Sequence, residues 1–201
     1  MSVRQLILVR HGVTDWNASG RAQGQEDIPL NDEGIAQAHL AAGALAKLNP
    51  TRLLSSDLSR AQMTAEALSK ATGLEYQADA RLQEICVGSW AGLTKPEITQ
   101  LWPPYPDVLA SGQDFRRSPT GETGAECGER VGAALQDIAL NYDDERLIVV
   151  GHGLSLKVGL FSLMGLDYEA ATRLHVLANC GWMVVTPGDR WRLRAYNITA
   201  G

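Results

Sequence analysis

The sequence predicts an α/β fold organised around a mostly parallel sheet, and three observations predict it. Short apolar runs alternate with stretches of helical period along the chain, as in repeated strand-helix-strand units. Two of these runs, Leu6-Ile7-Leu8-Val9 and Leu147-Ile148-Val149-Val150, are unbroken, which fits short buried strands, and each delivers a histidine with a glycine behind it. A length of 201 residues, with 45% hydrophobic and 20% charged residues, suits one soluble globular domain and is short for two.

Residues 4–10 read as the first strand. After an irregular stretch, Leu30-Asn31-Asp32-Glu33 starts a helix in which Ile35, Ala38, Ala42 and Leu45 share one face. Asn49-Pro50 ends it, because a residue before proline is pushed out of the helical region. Arg52-Leu53-Leu54-Ser55-Ser56 is the second strand. Ser56 or Asp57 is expected to cap the next helix, which carries Leu58, Ala61, Ala65 and Leu68 on its apolar side and closes at Gly73. A strand is expected over residues 74–78. Thr94-Lys95-Pro96-Glu97 has the spacing of a capping box with proline in the first turn.

Residues 102–128 differ in character. Pro103, Pro104, Pro106, Pro119 and several glycines deny this segment long regular structure. It reads either as a lid or binding loop or as a solvated surface insertion. A helix over 126–142 leads into the second histidine run, a helix over 154–164 follows, and Asp167 begins a short one. Residues 182–186, a Pro187-Gly188-Asp189 turn and residues 191–196 form a hairpin. The chain, 1–201, is therefore read as one domain with a lid-like insertion at about 102–128, without repeats or interdomain linkers.

Several functional classes are excluded. A net charge of −5 argues against nucleic acid and anionic membranes as partners, since phosphate arrays demand a basic face. A small anionic substrate remains allowed, because a few buried arginines set the local field. The three cysteines are scattered with no C-x-x-C, so neither a disulfide framework nor a zinc knuckle is indicated. The first residues lack the form of a signal peptide and the apolar run after them is too short to span a bilayer, so a cytoplasmic location is expected.

In parallel sheets, ligands gather beyond the carboxyl ends of strands, which is where His11 and His152 fall. Gly12 and Gly153, lacking Cβ, would let an anion approach their N–H groups. A neutral imidazole attacks phosphorus competently when the phosphate is held in line and its charge is neutralised. Arg10 and Arg60, the latter in the first turns of a helix after a strand end, offer guanidinium forks that bind phosphate oxygens in pairs. Neighbours in a strand point to opposite faces, so Arg10 and His11 reach one ligand only if the strand ends there.

The leaving oxygen needs a proton donor, and Glu84 is the carboxylate best placed by context. Its apolar flanks imply partial burial, which favours the protonated form; the plainer reading is a pair with Arg81. His39, in a helix, and His175, near a helix end, read as surface or core. Two histidines and a glutamate also suggest zinc, but Arg10 beside His11 disfavours a dication, so no metal is expected. Trp16, Trp90 and Trp102 line the mouth of the site or simply pack.

Leu8-Val9-Arg10-His11-Gly12, followed by Thr14 and Asn17, strongly resembles the signature of the histidine phosphatase superfamily, the phosphoglycerate mutase-like proteins. Ser55-Ser56-Asp57-Leu58-Ser59-Arg60-Ala61 resembles its second arginine segment, Leu82-Gln83-Glu84 with Gly88-Ser89-Trp90-Ala91-Gly92-Leu93-Thr94 its acid segment, and Val150-Gly151-His152-Gly153 its second histidine. The likeness spans nearly the whole chain, and the four segments fall in the right order.

The resemblance implies a three-layer α/β/α sandwich with no cofactor and no metal. It implies that His11 is the phosphorylated nucleophile, that Arg10, Arg60, His152 and Gly153 bind phosphate with help from Asn17, and that Glu84 acts as acid and then base. Gln23 and Gly24, after Arg21, would present N–H groups to the substrate. Within the superfamily, Arg21-Ala22-Gln23-Gly24-Gln25, Ser55-Ser56-Asp57-Leu58 and residues 88–94 are similar to glucosyl-3-phosphoglycerate phosphatases; branches acting on α-ribazole phosphate, phosphoserine or many small phosphates look alike there. Many relatives carry Gly-Glu-Ser before the helix after the lid. The nearest match is read as Ala125-Glu126-Cys127, which leaves Glu126 without a settled role. Arg116 and Arg117 either grip a substrate carboxylate or are solvated charges.

The expected function is thus a cofactor-independent phosphomonoester hydrolase acting on a small phosphorylated metabolite by a ping-pong phosphohistidine route. Its rivals are a phosphoglycerate mutase and a non-catalytic sensor of phosphorylated ligands. Glycolytic mutases of the family are longer, with extra segments that close the site, and the sensor has little support while every chemical group is present. Pairing into a homodimer through sheet edges is what the family implies; a terminal hairpin covering an edge strand is the alternative.

Overall fold

In the computed structural model, which describes residues 2–201, the elements follow in the order β1 (Gln5–Arg10), α1 (Asp15–Ala18), α2 (Asp32–Ala46), β2 (Arg52–Ser55), α3 (Ser59–Thr72) and β3 (Tyr76–Ala78). Then come α4 (Lys95–Leu101), α5 (Tyr105–Ser111), α6 (Gly124–Asn141), β4 (Arg146–Gly151), α7 (Gly153–Leu163), α8 (Tyr168–Thr172), β5 (Trp182–Thr186) and β6 (Arg192–Ile198). One six-stranded sheet runs β3-β2-β4-β1-β5-β6. Its first four strands are parallel, β5 is antiparallel to β1, and β6 is antiparallel to β5.

The two unbroken apolar runs are central because both sheet faces are covered. Leu6, Leu8, Leu147 and Val149 face a core with Val131, Leu135 and Ile138 of α6 and Leu156 and Leu160 of α7. Ile7, Val9, Ile148 and Val150 face the other way, onto Ala38, Ala42 and Leu45 of α2 and Ala61, Ala65 and Leu68 of α3. The result is the expected α/β/α sandwich. A strand apolar at every position carries no alternation to set its register. The polar ends supply it: a slip would drag Gln5, Arg10 or Arg146 into a layer where each buried Leu, Ile or Val contributes about 1.5–3 kcal/mol. The register that results pairs Arg10 with Gly151.

Several local expectations change. Ile35 is 37% exposed and borders the outer groove between α2 and α3; the buried stripe of α2 runs instead through Gly34, Ala38, Ala41, Ala42 and Leu45. Neither Ser56 nor Asp57 caps α3. Leu58 holds the N-cap position with no side-chain bond, and the Asp27 carboxylate accepts from the Ser59 N–H (2.7 Å) and hydroxyl (2.8 Å). The 102–128 segment is not wholly irregular: α5 lies within it, since prolines 104 and 106 fall at the cap and first turn, where a helix needs no N–H from them. Thr123 and Glu126 form a capping box at the start of α6, two residues earlier than expected. The terminal hairpin covers the β1 edge of the parallel strands through β5, and its second strand β6 becomes the new edge of the sheet. Among the described residues no helix is long and apolar enough to cross a membrane.

Candidate active site

Because Arg10 pairs with Gly151, His11 and His152 occupy the first positions beyond two adjacent parallel strands. Their ring centroids are 5.2 Å apart. The strand ends at Arg10, which releases Arg10 and His11 from the alternation that would send them to opposite faces. His11 is fixed through its backbone: its N–H donates to Gly151 O (3.0 Å), and its carbonyl accepts from the Cys180 N–H (3.2 Å) and Asn179 Nδ2 (3.1 Å). Its Nδ1 lies 2.6 Å from the Gly12 carbonyl. A carbonyl only accepts, so Nδ1 carries the proton and Nε2 keeps its lone pair. Burial, then the charges of Arg10 and Arg60, hold His11 well below the usual imidazole range and hence neutral.

His152 is the opposite tautomer. Its Nδ1 accepts from Arg60 Nε (3.2 Å), a group that only donates, so Nε2 is protonated and donates to Ser56 Oγ (2.9 Å). Burial, and next Arg60, keep it neutral as well. Arg60 is fully buried and rigid: its terminal nitrogens donate to Gly24 O (2.7 Å) and Glu26 O (2.7 Å). Arg10 donates to Leu177 O (2.6 Å), and its buried Nε has no partner. Among the described residues neither guanidinium is in an ion pair. Burial lowers both pKa values, with Glu84 close enough to offset part of the effect.

Gly12 has a role other than the expected one, and Gly153 and Gly24 each have a packing reason of their own. A Cβ on Gly12 would meet Gly34 O at 2.4 Å, and the Gly12 N–H already donates to Thr64 Oγ1 (3.2 Å). Gly12 therefore serves the packing of β1 on α2 rather than the approach of an anion. A Cβ on Gly153 would lie 3.1 Å from Arg10 Nε and 2.6 Å from Val176 Cγ1, so this glycine lets the guanidinium cross the start of α7. Gly24 combines a φ of +53° with contact against Val87, which excludes a side chain there.

Glu84 is half-buried and does not pair with Arg81, which binds Asp79 (2.8 Å) and Asp137 (2.6 Å). Its carboxylate accepts from the N–H groups of Ser155 (2.8 Å), Leu154 (3.2 Å) and Ile85 (2.9 Å), which pins it to the first turn of α7, just after His152. Asn17 Oδ1 accepts from the Thr14 N–H (3.2 Å) and from Asn179 (3.3 Å), and Gln23 Oε1 accepts from Thr14 Oγ1 (2.9 Å). The predicted residues therefore converge on one end of the sheet.

Four further residues escape sequence reasoning. Glu122 binds the Cys86 N–H (2.8 Å) and Arg130 (2.8 Å), and Arg130 donates to the carbonyls of Gln83 (3.0 Å) and Glu84 (3.2 Å). This pair clamps the Glu84 segment. The triplet before α6 is accordingly Gly121-Glu122-Thr123, not Ala125-Glu126-Cys127. The Thr123–Glu126 capping spacing was the signal that would have removed Glu126 from consideration. Asn179 steadies both His11 and Asn17. Lys157 is buried beside the site. Arg116 and Arg117 are not free: Arg116 pairs with Glu126 (2.5 Å), and buried Arg117 pairs with Asp114 (2.9 Å) and lies over the ring of Phe115.

A cavity of about 390 Å³ opens beside this centre, lined by Ile85, Trp90, Tyr105, Leu154, Lys157 and Val176 among others. Trp90, Trp102, Tyr105 and Phe115 stack against one another, and Trp16 packs over Gly92. His175 is exposed at the cavity rim and His39 is exposed on α2. Among the described residues no group of three His, Cys, Asp or Glu side chains is arranged to hold a metal ion.

The family model of the histidine phosphatase superfamily (branch 1) matches residues 6–199. A Yersinia pestis protein named probable phosphoglycerate mutase GpmB is 36% identical over 92% of this chain and 93% of its own length. A mycobacterial glucosyl-3-phosphoglycerate phosphatase, solved with VO3, superposes with a TM-score of 0.89 at 32% identity over 98% of this chain and 100% of that one. A phosphoserine phosphatase from Entamoeba histolytica, in complex with 3-phosphoglyceric acid, gives 0.86 at 28% identity over 97% of each chain.

Proposed function

The chain belongs to branch 1 of the histidine phosphatase superfamily, and from that premise we propose that it hydrolyses small phosphomonoesters through a phosphohistidine on His11. One observation carries the reading: a neutral imidazole with its Nε2 lone pair free sits among two guanidiniums that no carboxylate pairs with. Such a pocket is electrically unbalanced until an anion enters.

Arg10 and Arg60 neutralise the phosphate, with His152, the Gly153 N–H, Asn17 and the Gln23-Gly24 loop completing its cradle. His11 Nε2 attacks phosphorus as the bond to the leaving oxygen breaks, and Glu84 gives that oxygen its proton. The positive charge gathering on the His11 ring is met by the Gly12 carbonyl at Nδ1 (2.6 Å). Glu84, now a carboxylate, takes a proton from water, whose oxygen displaces the imidazole from phosphorus and frees phosphate. The hydrogen bonds from α7 hold Glu84 in one place for both steps. The 102–128 segment, which walls the cavity with Tyr105 and Phe115, serves as the lid over the leaving group.

Phosphate release from p-nitrophenyl phosphate by the wild type, its loss in His11→Ala, and a base-stable, acid-labile ³²P label that the wild type acquires from a labelled ester and His11→Ala does not, test the reading. Turnover retained by His11→Ala would overturn it. The similarity to a probable phosphoglycerate mutase supports a second reading, phosphoryl return to another hydroxyl. Incubation with 3-phosphoglycerate separates the two: phosphate release marks the hydrolase, interconversion with little phosphate the mutase.

A further inference from the structure

Lys157 is the feature of the cavity that phosphate chemistry leaves unexplained. It is 5% exposed, and its Nζ donates to the Leu174 carbonyl (2.8 Å). Among the described residues it is in no ion pair. Burial lowers its pKa and no acidic neighbour opposes that shift. An unpaired ammonium held out of water is destabilising and persists where something else offsets it. The walls around it are chiefly apolar, with Ile85, Trp90, Leu154, Leu174 and Val176 among them. The cavity's other buried cation, Arg117, is already neutralised by Asp114. A ligand that enters this cavity can bring the negative charge that Lys157 lacks.

Position says where that charge lies. Lys157 is four residues after Gly153 on α7, ~6 Å along the helix axis, and side chains on a helix lean toward its N-terminus. The Lys157 stem thus leans toward the turn of Leu154, whose N–H holds Glu84, while its ammonium sits at the Leu174 carbonyl in the lining of the same cavity. We propose that Lys157 is a specificity-determining residue that binds a carboxylate carried by the substrate within a few bonds of its phosphoester. The preferred substrates are small phosphorylated carboxylic acids. One ammonium with two donors left matches a monoanionic carboxylate, whereas a second phosphate would call for more than one cation. The role considered for Arg116 and Arg117 passes to Lys157.

This inference rests on the phosphatase reading of the neighbouring centre, so two measurements are paired. The first is kcat/KM for 3-phosphoglycerate and glycerol 3-phosphate, which differ by the carboxylate. The wild type should favour the acid by about tenfold or more, and Lys157→Met and Lys157→Gln should both cut that ratio by about tenfold. A ratio near one in the wild type, or equal losses on both esters, would overturn the proposal. The second is calorimetric binding of the same two esters to His11→Ala with and without Lys157→Met, which requires no turnover. There, a loss of affinity confined to the acid supports Lys157 even if the wild type hydrolyses neither these esters nor p-nitrophenyl phosphate, a result that would sink the phosphatase reading alone. Equal affinities would overturn Lys157 while leaving phosphatase chemistry intact.

Discussion

His11 and His152 face each other as opposite tautomers, with ring centroids 5.2 Å apart. Two neutral imidazoles this close to two guanidiniums are stable only while neither takes a proton. A free histidine titrates near 6.5, and both are held well below that value, first by burial. Between the folded and unfolded values the unfolded chain binds more protons, so stability is full above pH 6.5 and falls as pH drops toward the folded values. In phosphate-free buffer the slope should approach ~1.4 kcal/mol per pH unit for each histidine. Denaturant unfolding from about pH 8 to about pH 5 measures it. His152→Asn should flatten the curve, and an unchanged slope would remove the histidines as its cause.

Arg60 joins three elements at once, through Gly24, Glu26 and His152. Lysine cannot reproduce that fork, so Arg60→Lys should behave more like Arg60→Met than like the wild type. Both should lower kcat/KM by roughly 10²–10³, the scale for losing one fixed donor to transition-state charge. Amide exchange should rise in residues 24–26. Near-normal kinetics in Arg60→Lys would mean that only charge matters here.

What could be read from the chain and what could not divides by contact range. The order of strands and helices was legible because Leu6–Val9 and the Ala38, Ala42, Leu45 stripe carry their period locally. That His11, Arg60, Glu84 and His152 meet at one end of the sheet was legible because strand ends and neighbouring residue types announce it. The cap that Asp27 gives Ser59 was not, since its partner lies 32 positions away, and Ser56 looked equally suitable while being engaged by His152. Glu122 was missed for a similar reason: its partners Cys86 and Arg130 meet it only after α6 packs on the sheet.

Glu122 and Arg130 hold the backbone of the Glu84 segment, so in the proposed mechanism they are positioning residues. Arg130→Met would strand the carbonyls of Arg81, Gln83 and Glu84 together with the Glu122 carboxylate. Leaving such groups unpaired costs about 1–3 kcal/mol each where they stay buried. The kinetic mark should be a fall of about tenfold in kcat with KM little changed, because the acid is displaced while the phosphate cradle is not. Glu122→Gln, which keeps the Cys86 contact, should lose less. A rise in KM alone would place this pair in substrate binding instead.

Gly12 gives the sharpest separation of packing from chemistry. If its missing Cβ existed to admit phosphate, Gly12→Ala would spare stability and harm KM. The contact of 2.4 Å with Gly34 O predicts the reverse. Backbone cannot yield as a side chain does, so α2 must move off β1, at about 1–3 kcal/mol, the cost of an overpacked core. The Gly12 N–H to Thr64 bond would be strained in the same step, shifting the carbonyl that holds His11 Nδ1. Gly12→Ala should therefore unfold at lower denaturant and lose kcat, with KM near normal. Gly34→Ala, whose Cβ would meet Val13 O at 2.0 Å from the opposite side of the same contact, should reproduce the stability loss. A stable Gly12→Ala enzyme with raised KM would return this glycine to the phosphate site.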